Sequence, residues 1–162
     1  MASVKPSIDL FLKNPKRNKI AQVPDVKTVY LIGSFKFYAD MLEIQKNLAM
    51  EGIRCFVPQP SKHRDPTDPS KLLLSSRGQP RETLVKDAYE STIRCFRKID
   101  ECNIIYVVNK GGYIGKSTLL DIGYAYARKK PIYALETVDD LAVQSLLKTA
   151  SPSKLVRIAK EQ

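Results

Sequence analysis

A glycine-rich loop followed by an acid carries the clearest chemical signal in this chain. The loop comes after the apolar run Ile104–Val108, and its polar and small residues are Asn109, Gly111, Gly112, Gly115, Ser117, Thr118 and Asp121. This order predicts a strand, a loop and a helix. At such a junction the loop amides and the helix N-terminus converge beside the carboxyl end of the strand, where ligands bind. We therefore expect a binding site here, with Asp121 in the first turn of the helix.

Two known motifs come close to this loop. Gly115-Lys116-Ser117 resembles the end of a P-loop, but that motif requires a glycine where Lys110 stands. Because closure around phosphates depends on loop length, nucleoside triphosphate hydrolysis is not favoured. Thr118 and Asp121 have the spacing of a helix capping box, in which the carboxylate accepts a backbone N–H. A carboxylate at a helix N-terminus also stays ionised and can act as a nucleophile, so both roles stay open.

The composition limits the chemistry and the partners. Lys and Arg number 27 against 17 Asp and Glu, a net charge of +10 that suggests an anionic ligand or a nucleic-acid surface. The charge is spread along the chain, which is more typical of a solvated basic surface. Three cysteines and one histidine have no metal-ligand spacing, so we expect no metal or other cofactor. No apolar run approaches the roughly 18 residues of a membrane span, and no signal peptide follows Met1. We expect a cytoplasmic protein with no membrane partner.

Strands alternate with helices from residue 28 onward. The predicted strands are 28–32, 53–57, 104–108 and 132–135, and the predicted helices are 41–51, 82–98, 117–129 and 138–148. Residues 155–158 form either a fifth strand or part of a final helix. This alternation predicts a parallel sheet with helices on both faces. We expect a basic N-terminal arm over 1–27 and a single domain over 28–162, with a long loop over 61–80.

Two separated motifs resemble the nucleoside 2-deoxyribosyltransferase family, which includes the 2′-deoxynucleoside 5′-monophosphate N-glycosidases. The first is a helix pattern made by Thr118, Asp121, Gly123, Tyr124, Ala125, Ala127, Lys130 and Pro131. The second is Val29-Tyr30-Leu31-Ile32-Gly33-Ser34 in the first predicted strand. The resemblance implies a flavodoxin-like doubly wound parallel sheet of about five strands, which agrees with the pattern of elements.

The resemblance also implies roles for single residues. The family attacks C1′ of a deoxyribonucleoside with a glutamate and needs no metal, and Asp121 occupies the position of that glutamate. Tyr30 matches a tyrosine that hydrogen-bonds the nucleophile. Gly33 and Ser34 match a turn that faces the sugar or a 5′-phosphate, and Lys36 falls near a basic phosphate-binding position. The remaining pocket residues implied here are Asn109, Gly112, Gly115, Ser117 and Thr118.

Two positions depart from the family pattern. Aspartate is shorter than glutamate by a methylene, and Cys95 stands where the family has an aspartate. The resemblance nevertheless implies an enzyme acting on the N-glycosidic bond of a nucleoside or nucleoside monophosphate, by transfer or hydrolysis. The alternative is a nucleotide-binding or sensory module that has lost the chemistry.

The expected partners are a nucleoside or nucleotide and further copies of this chain. An anionic group, most simply a 5′-phosphate, is expected near Ser34, Lys36 and Ser117. Nucleic acid is a less favoured partner. A homo-oligomer is expected because the predicted helix over 82–98 carries more apolar residues than one sheet face needs. In that assembly Tyr124 and Tyr126 would be buried between subunits.

Overall fold

The structure, a computed structural model, describes residues 27–161 and contains a five-stranded sheet. The strands are β1 (Val29–Gly33), β2 (Cys55–Phe56), β3 (Ile104–Val108), β4 (Ile132–Ala134) and β5 (Lys148–Thr149). Their order is β2-β1-β3-β4-β5, and every neighbouring pair is parallel. This is the flavodoxin-like doubly wound order, whose topological switch point lies between β1 and β3. The predicted fold class is confirmed, whereas the arm, except for Lys27, lies outside the described residues.

Helices cover both faces of the sheet. They are α1 (Tyr38–Met50), α2 (Arg81–Glu101), α3 (Lys116–Ala127), α4 (Leu141–Gln144) and α5 (Pro152–Lys160). Helices α1 and α5 pack on one face, and α2, α3 and α4 pack on the other. None of the helices within residues 27–161 has both the length and the apolar character that a bilayer crossing requires.

Strand β1 sends alternate side chains to opposite faces of the sheet. Val29 and Leu31 join the core beneath α1 and α5, whereas Tyr30 and Ile32 join the core beneath α2 and α3. Gly33 ends the strand at the edge where α3 begins. The alternation matters for function because it fixes the Tyr30 side chain on the same face as Asp121.

Helices α2 and α3 are packed directly against each other. The Tyr124 ring stacks on Phe96 with ring centroids 4.1 Å apart, and its hydroxyl donates a 2.8 Å hydrogen bond to Asp100. Arg128 adds an ion pair to the same carboxylate at 2.6 Å. Tyr124 is therefore used within the subunit, and its burial between subunits stays a prediction. Tyr126 remains 59% exposed.

The chain after β4 differs from its prediction. The predicted helix over 138–148 is wrong: α4 has four residues, begins at the Asp140 cap and is followed by the edge strand β5. Residues 155–158 lie in a helix, because the Ser151 hydroxyl accepts from the Lys154 amide and Pro152 occupies the first turn of α5. Two exposed residues suffice for β5, since backbone pairing with β4 needs no apolar side chains.

Candidate functional site

Loops that follow three strands meet at the carboxyl edge of the sheet. The Asn109 side chain, which is fully buried, donates to the Glu136 carbonyl at 2.8 Å and accepts from the Glu136 amide at 3.0 Å. The Gly111 amide donates to the Glu136 carboxylate at 2.9 Å. Lys110 pairs with Asp40 at the start of α1. These contacts fix the loop after β3 between its neighbours and occupy both ends of the Asn109 amide, so ligand contact by Asn109 stays a prediction.

Two predicted site glycines are required by close backbone contacts. A Cβ atom at Gly33 would lie 2.6 Å from the Val108 carbonyl oxygen. One at Gly112, where φ is +71°, would lie 2.7 Å from the Thr137 carbonyl oxygen. Both glycines allow neighbouring loops to approach within van der Waals distance. A role for either residue in contacting substrate stays a prediction.

The turn after β1 is joined to the glycine-rich loop by an aromatic contact. The Lys36 ammonium lies 3.2 Å from the centre of the Tyr113 ring. The Ser34 hydroxyl caps a short 3₁₀ turn by accepting from the Lys36 amide at 3.4 Å. The structure thus places the Lys36 ammonium beside Tyr113 of the glycine-rich loop, and a role for Lys36 in binding a phosphate stays a prediction. Its charge is already engaged by aromatic rings, since Phe37 lies 4.9 Å away.

Helix α3 begins at Lys116, one residue before its predicted start, but its cap is not the predicted one. Gly115 is its N-cap and no side chain caps it. Ser117 is exposed in the first turn, where amides have no partner within the helix, whereas Thr118 is 3% exposed inside the helix. The capping box is therefore wrong, because Thr118 is not an N-cap. Asp121 is consequently in the second turn rather than the first, about 9 Å along the axis from Gly115.

Asp121 is a partly buried carboxylate without a compensating charge. Burial raises its pKa from 3.8 to about 7. In the described part of the chain it takes part in no hydrogen bond or ion pair. A carboxylate held in this way costs folding free energy, and such groups are concentrated at functional sites.

Tyr30 and Cys95 lie beside this carboxylate. Tyr30 is 2% exposed, and its pKa is raised by burial, then by the Cys95 thiol and by the charge of Asp121. The pKa of Cys95 is raised by burial and by Asp121, although the Tyr30 hydroxyl and Arg94 act in the opposite direction. We call Tyr30, Cys95 and Asp121 the central cluster. The described residues show no hydrogen bond between Tyr30 and Asp121. The two side chains are near each other, but the predicted hydrogen bond between them is not formed.

A cavity of about 250 Å³ opens beside the central cluster, between α2 and the end of β2. Tyr30 and Cys95 line it together with Val57, Gln59, Ser91, Arg94, Arg97, Lys98 and Glu101. The polar residues of this wall are not among the site residues predicted from the sequence. Their helical spacing is visible in the sequence, but the facing residues Val57 and Gln59 follow β2, far away along the chain. Among residues 27–161, no group of three His, Cys, Asp or Glu side chains lies close enough together to hold a metal ion.

Comparison with known proteins gives only distant likenesses. No family model matches the chain, and no curated protein matches it. The CMP N-glycosidase BcmB of Clostridium botulinum is 15% identical over 82% of this chain and 96% of its own, with a TM-score of 0.44. The NAD(P)H:(acceptor) oxidoreductase FerB of Paracoccus denitrificans is 14% identical over 83% and 71%, with a TM-score of 0.40. At these TM-scores neither likeness carries an argument about what this chain does.

Proposed function

We propose that the central cluster cleaves the N-glycosidic bond of a nucleoside or nucleoside monophosphate, with Asp121 as the nucleophile. The observation that carries this proposal is the placement of Asp121. It lies partly buried against Tyr30 and Cys95, its pKa is raised to about 7, and no cation in the described chain neutralises it. Selection for stability alone would replace such a buried carboxylate or place a cation beside it.

The proposed reaction has two displacements. In the first, a carboxylate oxygen of Asp121 forms a bond to C1′ while the bond from C1′ to the base nitrogen breaks, and the base leaves with the electron pair and takes a proton from water. In the second, a water oxygen forms a bond to C1′ while the bond from C1′ to Asp121 breaks, and the proton of that water neutralises the hydroxide left by the first step, which gives hydrolysis. Another base in place of water gives transfer. Dividing the reaction in this way replaces one high barrier by two lower ones.

The other residues of the cluster would position the nucleophile and the base. The raised pKa values of Tyr30 and Cys95 keep both groups protonated at neutral pH, so each can donate a hydrogen bond. Gly33, Ser34 and the amides at the start of α3 would face the sugar, because the turns that carry them border the same face of the sheet.

A binding module is the second candidate, and one observation favours it. With a pKa of about 7, Asp121 is half protonated at neutral pH, and Cys95 supplies no second carboxylate for proton transfer. In this case the chain would hold a nucleotide without breaking its glycosidic bond.

Release of free base separates the two candidates. The full chain is incubated with deoxyribonucleosides, ribonucleosides and their 5′-monophosphates, and free base is measured by liquid chromatography. We expect base from at least one of these substrates, and the sugar product distinguishes hydrolysis from transfer to an added second base. If a nucleotide binds and no substrate in the panel yields base, the binding module replaces the enzyme.

A further inference from the structure

The cavity beside the central cluster has a wall of basic residues that the proposed reaction does not use. Ser91, Arg94 and Lys98 recur at helical spacing on one side of α2, and Arg97 lies next to them. Lys98 is paired with Glu101 at 2.5 Å. Neither Arg94 nor Arg97 belongs to an ion pair within the described residues, so the cavity has an excess of two positive charges.

We infer that Arg94 and Arg97 bind the phosphate of a small phosphomonoester whose remaining part lies against Tyr30. Two guanidinium groups three residues apart on a helix repel each other, and an anion held between them removes that repulsion. The planar fork of each guanidinium matches the geometry of phosphate oxygens. Arg94 is already oriented, since it donates a 3.0 Å hydrogen bond to the Ser91 hydroxyl.

The rest of the cavity fits a ring system. Tyr30 forms part of its lining, Val57 is buried, and the Lys98 ammonium lies 4.4 Å from the centre of the Phe56 ring. A volume of about 250 Å³ is slightly below the range of about 300–1,000 Å³ that is usual for small-molecule sites, so it suits at most a single nucleotide and not a polymer. That the ligand is a nucleotide rests on the proposed function, whereas the anion site rests on the cavity and its charges.

This site competes with the turn after β1 as the place for a phosphate. The sequence predicts the phosphate near Lys36, but the Lys36 ammonium is 3.2 Å from the Tyr113 ring and would have to leave it. Arg94 and Arg97 have no such competing contact with an aromatic ring among residues 27–161. Substitution of Arg94 and Arg97 should weaken phosphate binding if the phosphate lies in the cavity, and substitution of Lys36 should weaken it if the phosphate lies at the turn after β1.

Calorimetric titration of the full chain tests the anion site. The probes are a nucleoside 5′-monophosphate, the corresponding nucleoside and inorganic phosphate. We expect the monophosphate to bind at least about tenfold more tightly than the nucleoside. The double variant Arg94→Ala, Arg97→Ala should remove this difference. The control Lys46→Ala, Arg54→Ala loses the same charge from exposed positions outside the cavity and should retain the difference.

Two outcomes would overturn the inference. One is equal binding of the nucleoside and its monophosphate to the unsubstituted chain. The other is a preference for the monophosphate that survives in the Arg94, Arg97 variant and disappears in Lys36→Ala. Because the readout is binding, a preference that depends on Arg94 and Arg97 without any base release would reject the proposed reaction and keep the anion site.

Cysteine alkylation gives an independent measurement of the same contact. Cys95 lines the cavity, whereas Cys55 packs against the core on the opposite face of the sheet. At about pH 9, where thiolates form more readily, the monophosphate should slow iodoacetamide labelling of Cys95 and leave that of Cys55 unchanged. Peptide mass mapping reads both sites in one experiment. Equal labelling of Cys95 with and without saturating monophosphate would contradict the proposed location.

Discussion

Burial of Asp121 lowers the stability of the folded protein and raises the pKa of this carboxyl group to about 7, which is useful for chemistry at neutral pH. When folding raises the pKa of an acid, the folded state binds more protons than the unfolded state at every pH between the two pKa values. Stability therefore falls as pH rises from about 4 to about 7, and the whole cost is present above that range. The shift from 3.8 to about 7 corresponds to a cost of up to about 4 kcal/mol, reduced by the partial exposure of the side chain.

The Asp121→Asn substitution should make the protein more stable above neutral pH. The amide has nearly the same shape as the carboxylate and carries no charge, so it avoids the cost of burying one. We expect the variant to be about 2–4 kcal/mol more stable than the original chain at about pH 8 and nearly equal to it at about pH 4. Urea unfolding at both pH values measures the difference. A variant that is less stable than the original chain at about pH 8 would mean that the carboxylate is compensated.

The rate of base release should follow the ionised fraction of Asp121. Only the carboxylate is a nucleophile, so the rate should rise about tenfold per pH unit below the pKa and level off above about pH 8. The measurement is single-turnover base release across this range. A rate that is constant between about pH 5 and pH 8 would indicate that Asp121 keeps an ordinary pKa or is not the nucleophile.

At the scale of elements, the site depends on loops held at the carboxyl edge of the sheet. Substitution of Gly112 by Ala tests this dependence, because the added Cβ would lie 2.7 Å from the Thr137 carbonyl oxygen in a backbone with φ of +71°. We expect a loss of about 2–3 kcal/mol, the sum of conformational strain and displacement of the neighbouring loop. Gly111→Ala is the matched control, since φ is +64° and no atom lies within 4 Å of its Cβ.

The free energy of unfolding of Gly111→Ala should fall by only about 1 kcal/mol, the cost of placing an alanine in the left-handed backbone conformation. Urea unfolding midpoints of the two variants give the comparison. Equal destabilisation would show that the contact between the loops after β3 and β4 contributes nothing.

Long apolar elements could be predicted from the sequence, and short or polar ones could not. Strand β3 matches its prediction residue for residue because all five side chains are buried. The predicted start of α3, at residue 117, lies one residue from the observed start, but the capping box was wrong because Thr118 and Asp121 only imitate one, while the actual N-cap, Gly115, has no side chain to signal it. Strand β5 has two exposed residues and pairs through its backbone, so no hydrophobic pattern marks it.

The candidate site was predictable only in part for a similar reason. The expectation that Tyr30 lies beside Asp121 came from the family resemblance of the two motifs, because the spacing of the residues alone does not bring them together. The cavity wall was not predictable, because Gln59 and Arg94 are brought together only by the packing of α2 beside β2.

At the scale of the whole molecule, the first half of α2 is poorly covered. Val85 is 56% exposed and Tyr89 is 65% exposed, and both border an open groove on this helix. Leu120 and Tyr126 on the neighbouring helix are also exposed. An apolar surface of this kind is typical of a subunit interface. We therefore keep the prediction of a homo-oligomer, with light scattering giving a mass well above the 18.3 kDa of one chain.

Substitution within this surface should dissociate the oligomer. Tyr89→Asp places a charge among the exposed apolar residues and should lower the mass toward 18.3 kDa. Met50→Asp is the control, because Met50 is 71% exposed on α1, which packs on the opposite face of the sheet, and the substitution should leave the mass unchanged. A mass of one chain for the unsubstituted protein at micromolar concentration would refute the oligomer and any pocket shared between subunits.

The most direct test of the central claim compares base release by the original chain and by Asp121→Asn. Both proteins are incubated with the best substrate of the panel, and Asp139→Asn, which changes an exposed acid elsewhere, serves as the control. We predict that Asp121→Asn folds, as its urea transition will show, and that its rate of base release falls at least about 1,000-fold while the control keeps the full rate. Base release by Asp121→Asn at the rate of the original chain would contradict the assignment of Asp121 as the nucleophile.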